Sequence, residues 1–263
     1  MRKILVLFVF CLVLTSCGSV AITGRNQLLL FSDGEIASLS EQSYTEVVST
    51  TGLSSNQRYN ADVREVGNKL IAAITEYMRV NNTPGVLDGF NWSFDVAKSE
   101  EVNAFCLPSG RIVFYEGIMK IFSSKDEIAF VMGHEIAHAI AKHGNERMSQ
   151  QAVTGMVGEI ASAALGGNSK NQAIFDVAFG LGAQYGVVLP YSRKHEYEAD
   201  KLGLIFMAMA GYDIEAAPAF WEKMSQGKDT SGSDFFSTHP SDEKRIANIR
   251  KEMGEARKYM PKR

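Results

Sequence analysis

Residues 133–144 read GHEIAHAIAKHG, a glutamate and three histidines in one short stretch. His134 and His138 are four residues apart, so on a helix they project from one face a turn apart. That spacing lets two imidazoles reach a single ion at about 2.0–2.1 Å. Glu135, next to the first histidine, is placed to act on a water rather than on the metal. Its neighbours Ile136, Ala137, Ala139 and Ile140 are apolar, and the whole chain has only 5 histidines. A polar triplet set among such residues is expected to face a lined cleft. His143 is nine residues from His134, roughly 180° around a continuing helix at 100° per residue. It is therefore expected to point away, solvated or favoured by the helix dipole near the C-terminus. The longer HExxHxxGxxH pattern also fails, because Ala141 and Gly144 stand where it needs a glycine and a histidine.

The third ligand must come from elsewhere, and a glutamate is the available type. Glu159 has Ala163 four residues on, so it carries no polar partner on its own face. The stretch SRKHEYEAD (192–200) is better supplied. Glu196 and Asp200 share a helical face, so Glu196 can ligate while Asp200 accepts a hydrogen bond from the non-ligating nitrogen of a ligand histidine. Glu198 lies two residues off that face and is the less favoured ligand. Two imidazoles, one carboxylate and an open position describe a catalytic zinc site, whereas structural zinc is closed by four protein ligands. The ligand types select zinc, one ion per chain. Zinc lowers the pKa of a water toward about 7, and Glu135 would take its proton and pass it to a leaving amine. The expected reaction is peptide-bond hydrolysis.

The elements that must position these groups are mainly helical. Ser32 and Glu35 have capping-box spacing, followed by Ile36, Leu39, Tyr44, Val47 and Val48 at helical intervals. A stronger amphipathic helix is predicted over about 57–79, with Tyr59, Val63, Val66, Leu70, Ile74 and Tyr77 as its stripe. Alternation at Trp92, Phe94 and Val96, then VNAFCL and RIVFY around PSG (108–110), predicts a small sheet with a hairpin. Ser124 and Glu127 form a second capping box, opening the histidine helix. Residues 149–188 read as close-packed core helices. A helix from about 194 is predicted to end at Gly211. SQGKDTSGSDFF reads as a flexible loop, and a last amphipathic helix begins near Pro240. The fold class is α+β, mainly α, with a small antiparallel sheet beside the active-site helix.

The N-terminus reads as an export signal. Arg2 and Lys3 precede an apolar run at 4–14, too short to span a bilayer, and LTSC (14–17) resembles a lipobox. Residues 1–16 are expected to be a lipoprotein signal peptide, Cys17 the lipidated residue, 17–31 a linker, and 32–263 the catalytic domain. Loss of Cys11 and lipidation of Cys17 leave Cys106 alone, so no intramolecular disulfide is expected. Net charge is −3, with no Lys/Arg cluster, which argues against nucleic acid as a partner.

HEIAH, SRKHEYEAD, the upstream VNAFCLPSGRIVFYEGI and STHPSDEKRI near the C-terminus together resemble metallopeptidase family forty-eight. This is the gluzincin family of HtpX and the CAAX prenyl proteases. The opening CGSVAITGRNQLLL is similar to its soluble bacterial lipoprotein branch. The resemblance implies a zincin-like fold and further roles. Asn103, Ala104 and Phe105 correspond to an edge strand along which an extended substrate would add as another strand. His239 resembles a family histidine near the metal, which stabilises an oxyanion or plugs the zinc at rest. Arg193 and Arg245 are similar to arginines near the site, with structural ion pairing as the alternative.

The function expected is a lipid-anchored zinc endopeptidase on the periplasmic face of the outer membrane of a Gram-negative bacterium. Gly18 follows Cys17 where an aspartate would mark inner-membrane retention. Its expected substrates are unfolded or misassembled envelope proteins. The competing expectation is a chaperone-like lipoprotein that binds such proteins with little proteolysis.

Overall fold

A computed structural model of the chain describes residues 17–158, 192–226, 235, 239 and 243–261. The expected signal peptide, Glu159, most of the 149–188 segment and most of the loop before His239 lie outside the described residues.

The segment expected as a linker is built as structure. Strands β1 (Cys17–Ser19) and β2 (Asn26–Leu28) pair antiparallel, with Cys17 opposite Leu28. The turn between them passes through Gly24 at φ 69°, a conformation open to glycine at little cost. The chain leaving β2 is fastened to the body of the fold. Leu30 N donates to Ser149 Oγ at 2.8 Å, and Asn145 Nδ2 donates to Phe31 O at 2.9 Å.

Helix α1 (Asp33–Thr51) opens with the expected reciprocal box, Ser32 Oγ accepting from Glu35 N and Glu35 accepting from Ser32 N. Helix α2 (Gln57–Val80) buries Val63, Val66, Leu70, Ile74 and Met78 at three- and four-residue intervals. Tyr59 and Tyr77 pack at the margins of that stripe. β3 (Ser93–Ala97), β4 (Ala104–Cys106) and β5 (Arg111–Tyr115) form a sheet in the order β3-β5-β4. The 108–110 hairpin forms as read, with Gly110 at φ 90°. The sheet is nevertheless mixed rather than antiparallel, because β5 folds back between its two predecessors and runs parallel to β3. As the central strand, β5 has Ile112 to Tyr115 all buried. β4 is left at the edge.

A short helix α3 (Glu116–Met119) leads to α4 (Lys125–Ile140), the histidine helix. Ser124 Oγ accepts from Glu127 N as expected, but the return half of the box is redirected. Glu127 Oε2 accepts instead from Ser123 N at 2.7 Å and from Lys223 Nζ at 2.6 Å. Every residue from Glu127 to Ile140 is buried, since α4 is enclosed by α2, β4 and the helices that follow. Those are α5 (His143–Gly158), α6 (Arg193–Met209), α7 (Ala216–Gln226) and α8 (Glu243–Ala256). Among the described residues, no helix is long and apolar enough to cross a membrane.

α6 is the main partner of α4, and the two backbones meet at Gly133 and Gly203. A Cβ on Gly203 would sit 2.8 Å from His134 N, against backbone that cannot swing aside. This contact fixes the separation of the two helices that carry the histidines and Glu196. Gly203→Ala is therefore expected to destabilise the fold by about 1–3 kcal/mol through overpacking, read as a lower urea midpoint at unchanged slope.

Candidate metal centre

Two helices and a residue between α7 and α8 bring four donors together. His134 and His138 come from α4, Glu196 from the first turn of α6, and His239 from just before α8. One ligand atom from each lies within 4.8 Å of all the others. His138 Nε2 is 3.0 Å from His134 Nε2, and His239 Nδ1 is 3.1 Å from the same atom. Glu196 Oε1 is 3.3 Å from His138 Nε2 and 3.2 Å from His239 Nδ1. All four side chains are buried. Glu135 stands beside them, its Oε1 3.4 Å from His239 Nε2 yet without a hydrogen-bond partner among the described residues. An unsatisfied buried carboxylate oxygen costs stability, and its position at the edge of the donor cluster is where a general base would be needed.

The non-ligating atoms are held from behind. His134 Nδ1 lies 3.0 Å from Asp200 Oδ1, the relation expected from the i, i+4 pairing of Glu196 and Asp200. Asp200 in turn accepts from Arg245 Nε at 2.6 Å and Nη2 at 2.8 Å. Arg245 also reaches Glu196 Oε2 through Nη1 at 2.5 Å, and its guanidinium lies 4.1 Å from the centre of the Trp221 ring. The arginine is thus part of the centre. Arg193, its companion in the sequence comparison, is exposed at the start of α6.

His143 does not behave as expected. It is fully buried, and its Nδ1 lies 3.0 Å from His138 Nδ1. The helical wheel misplaced it because α4 ends at Ile140 and Lys142, at φ 54°, turns the chain into α5. His143 Nε2 faces Glu198 Oε2 at 2.9 Å, so Glu198 reaches the centre through His143 instead of as a ligand. Neither role had a sequence signal beyond the alternation of acids in EYEAD. Arg25 from the N-terminal hairpin and Glu146 from α5 join the same network, and sequence reasoning found neither.

Electrostatics prepare His138 and Glu196 for a cation. Burial pushes His138 well below the usual imidazole range, which keeps it neutral. Burial works to raise Glu196, but Arg245 and His239 pull it well below the usual carboxylate range. Asp200 is likewise held down by Arg245 against its burial. Glu135 goes the other way: burial raises it, and the nearby histidines offset that only in part. Burial opposes a charge on His239, and Glu196 and Glu135 overcome it, raising its pKa. Neutral imidazole and ionised carboxylate are the donor forms zinc takes, and His138 and Glu196 are held in those forms, so the donor set fits the ion.

The other sites read from sequence are placed as follows. Asn103 precedes β4, and Ala104 and Phe105 lie in it, at the edge of the sheet and against α4. Asn103 Oδ1 accepts from Ala104 N at 2.9 Å. Phe235 N donates to Val102 O at 3.2 Å, just ahead of that strand, and His239 N donates to Phe235 O at 2.8 Å. Cys106 is buried and its thiol pushed well up by burial, which makes it unreactive. A cavity of about 520 Å³ opens next to the centre, with Leu29, Ile36, Phe90, Pro108 and His138 in its walls.

Asp200→Asn should keep the fold but lower zinc affinity about 10–100-fold, since it weakens the hold on the non-ligating nitrogen of His134. Competition against a chromophoric chelator measures it.

Comparison with known proteins agrees with this geometry. The model of peptidase family M48 matches residues 57–253. Mitochondrial metalloendopeptidase OMA1 of Schizosaccharomyces pombe is 33% identical over 220 residues, 83% of this chain and 61% of that protein. The Arabidopsis thaliana protein of the same name is 40% identical over 160 residues, 60% of this chain and 31% of its own. The beta-barrel assembly-enhancing protease of Escherichia coli is 27% identical over 169 residues, 62% of this chain and 35% of that one. The chain therefore spans from about a third to three-fifths of the length of these relatives. The family match encloses both stretches that supply His134, His138 and Glu196, and reaches past His239 to Met253; this chain belongs to peptidase family M48.

Proposed function

We propose that the chain is a zinc endopeptidase in which His134, His138 and Glu196 hold the metal and Glu135 is the general base. The observation that carries this reading is the buried four-donor cluster with the Glu135 carboxylate at its edge, its Oε1 3.4 Å from His239 Nε2 and without a hydrogen bond among the described residues. Zinc, when bound, supplies the Lewis acid that polarises a peptide carbonyl and makes water acidic enough to attack it. Glu135 accepts the proton from the attacking water. Its raised pKa then lets it deliver that proton to the departing amine. Arg245 keeps Glu196 ionised and oriented, and the edge strand β4 offers backbone to an extended substrate. His239 reads as a resting fourth donor, because Nδ1 already sits among the ligand atoms.

The N-terminus and one of the relatives support a setting for this activity. Cys17 carries lipid, and the enzyme works on the periplasmic face of the outer membrane on unfolded or misassembled envelope proteins. The LTSC box supports the anchor, and the name of the Escherichia coli relative ties a bacterial member to β-barrel assembly. The OMA1 relatives are named as mitochondrial.

Incubation with an unfolded protein, with and without a chelator, tests the activity by mass spectrometry of the cut sites. Glu135→Gln should retain zinc and fold and lose cleavage by at least about 10²–10⁴-fold. In the same assay His239→Ala should raise basal cleavage; unchanged activity and zinc affinity would remove His239 from the centre. A chaperone-like protein would keep its effect on envelope assembly in the Glu135→Gln form.

Cys17→Ala should move the protein from the membrane to the soluble fraction without altering specific activity, because the acyl chains contribute roughly 0.8 kcal/mol per buried CH₂. Retention on membranes washed with high salt would show a second anchor.

A further inference from the structure

The two histidines of α4 are supported differently. Behind His134 stand Asp200 and Arg245, both from the C-terminal half of the chain. Behind His138 the contacts lead to the N-terminus. His138 Nδ1 faces His143 Nδ1 at 3.0 Å, and His143 Nε2 faces Glu198 Oε2 at 2.9 Å. Glu198 accepts from Arg25 Nε at 2.6 Å and from the Thr23 hydroxyl. Arg25 spends its two terminal nitrogens on Glu146, Nη1 to Oε1 at 3.0 Å and Nη2 to Oε2 at 2.7 Å. Thr23 and Arg25 both lie in the β1–β2 turn, 175 and 173 residues from Glu198 in sequence. The side chains of Arg25 and Glu198 are only 13% and 8% exposed, so this is a desolvated pair and not a surface one.

The direction of the hydrogen bonds has a consequence for the metal. Glu198 is acceptor only, so His143 must present a proton from Nε2. His143 Nδ1 is then a lone pair, which can accept only if His138 carries its proton on Nδ1. That leaves the lone pair of His138 on Nε2, the atom that faces His134 and Glu196. Were Glu198 free to turn away, His143 could carry its proton on Nδ1. It would then drive the proton of His138 onto the ligating nitrogen. The relay is as sound as the hold on Glu198, and the planar fork of Arg25 fixes Glu198 and Glu146 at once.

We propose that Arg25 is a positioning residue of the metal centre, acting through Glu198 and His143 to set the tautomer of His138. The N-terminal hairpin, which the family match at 57–253 leaves out, is thereby a working part of the site. This rests on the reading that His134, His138 and Glu196 hold zinc.

The test uses the full chain in detergent. Zinc affinity is measured against a chromophoric chelator for the wild type, Arg25→Ala, Arg25→Lys, Glu198→Gln and the double variant Arg25→Ala/Glu198→Gln. The visible spectrum of the cobalt-loaded form and the melting temperature of the metal-free form are recorded for each. Arg25→Ala is expected to weaken zinc about 10–100-fold and to alter the cobalt spectrum. Arg25→Lys should recover part of the loss, since it keeps the charge but not the fork. The double variant should be no weaker than the poorer single one if both act through one carboxylate. Wild-type zinc affinity and cobalt spectrum in Arg25→Ala, even with a lower melting temperature, would overturn the proposal and make Arg25 a brace of the fold alone. If Arg25→Ala does not fold, unchanged affinity in both Arg25→Lys and Glu198→Gln would overturn it equally. A wild type that takes up no zinc would instead sink the functional reading beneath it.

Discussion

Arg245 is the charge on which the centre depends. Glu196 and Asp200 are buried on one face of α6, and a buried carboxylate without a partner is strongly destabilising. One guanidinium, itself buried and stacked near Trp221, meets both. Its planar fork suits this better than a lysine would, since two carboxylates must be satisfied from one side. With these acids held ionised, Glu196 faces the donor cluster and Asp200 lies against His134 Nδ1. Glu135, which Arg245 meets by charge alone, is left with its pKa raised. Glu196 and Glu135 thus differ in proton affinity although both are buried glutamates, because Arg245 and His239 hold Glu196 down while burial prevails at Glu135.

The close crossing of α4 and α6 makes that arrangement rigid. Gly133 and Gly203 let the helix backbones approach until no side chain fits between them. The approach places the first turn of α6 under the histidines. The same crossing carries Glu198 toward His143, which lies behind His138, and Asp200 toward His134, so that one acid stands behind each histidine of α4. Three acids spaced two residues apart in EYEAD thus take three positions around one centre, at its face and behind each of its two histidines.

Local patterns carried much of this structure. The stripe of α2 and the box at Ser32 are short-range effects, and they appear where periodicity and capping put them. The i, i+4 spacings of His134 with His138 and of Glu196 with Asp200 are also local, and each pair presents to a common neighbourhood. His143 shows the limit. AKHG contains a glycine that can end a helix, but it does not say where the chain then goes: the backbone turns already at Lys142 and brings His143 under His138. The parallel pairing of β3 with β5 was hidden for a related reason, because period-two alternation says which face a strand buries and nothing about which strand lies beside it.

By itself the sequence determined the chemistry available: two imidazoles and a carboxylate suited to zinc, a glutamate to move protons, and helices to carry them. Those depend on residue type and on spacing within single helices. Tertiary structure decided which groups stand behind the ligands. Arg245 faces Asp200 across 45 residues, far beyond the reach of any contact within a helix, and Arg25 reaches Glu198 across 173. No periodicity encodes such pairs, because they exist only once desolvated charges have been forced to find partners in a packed interior.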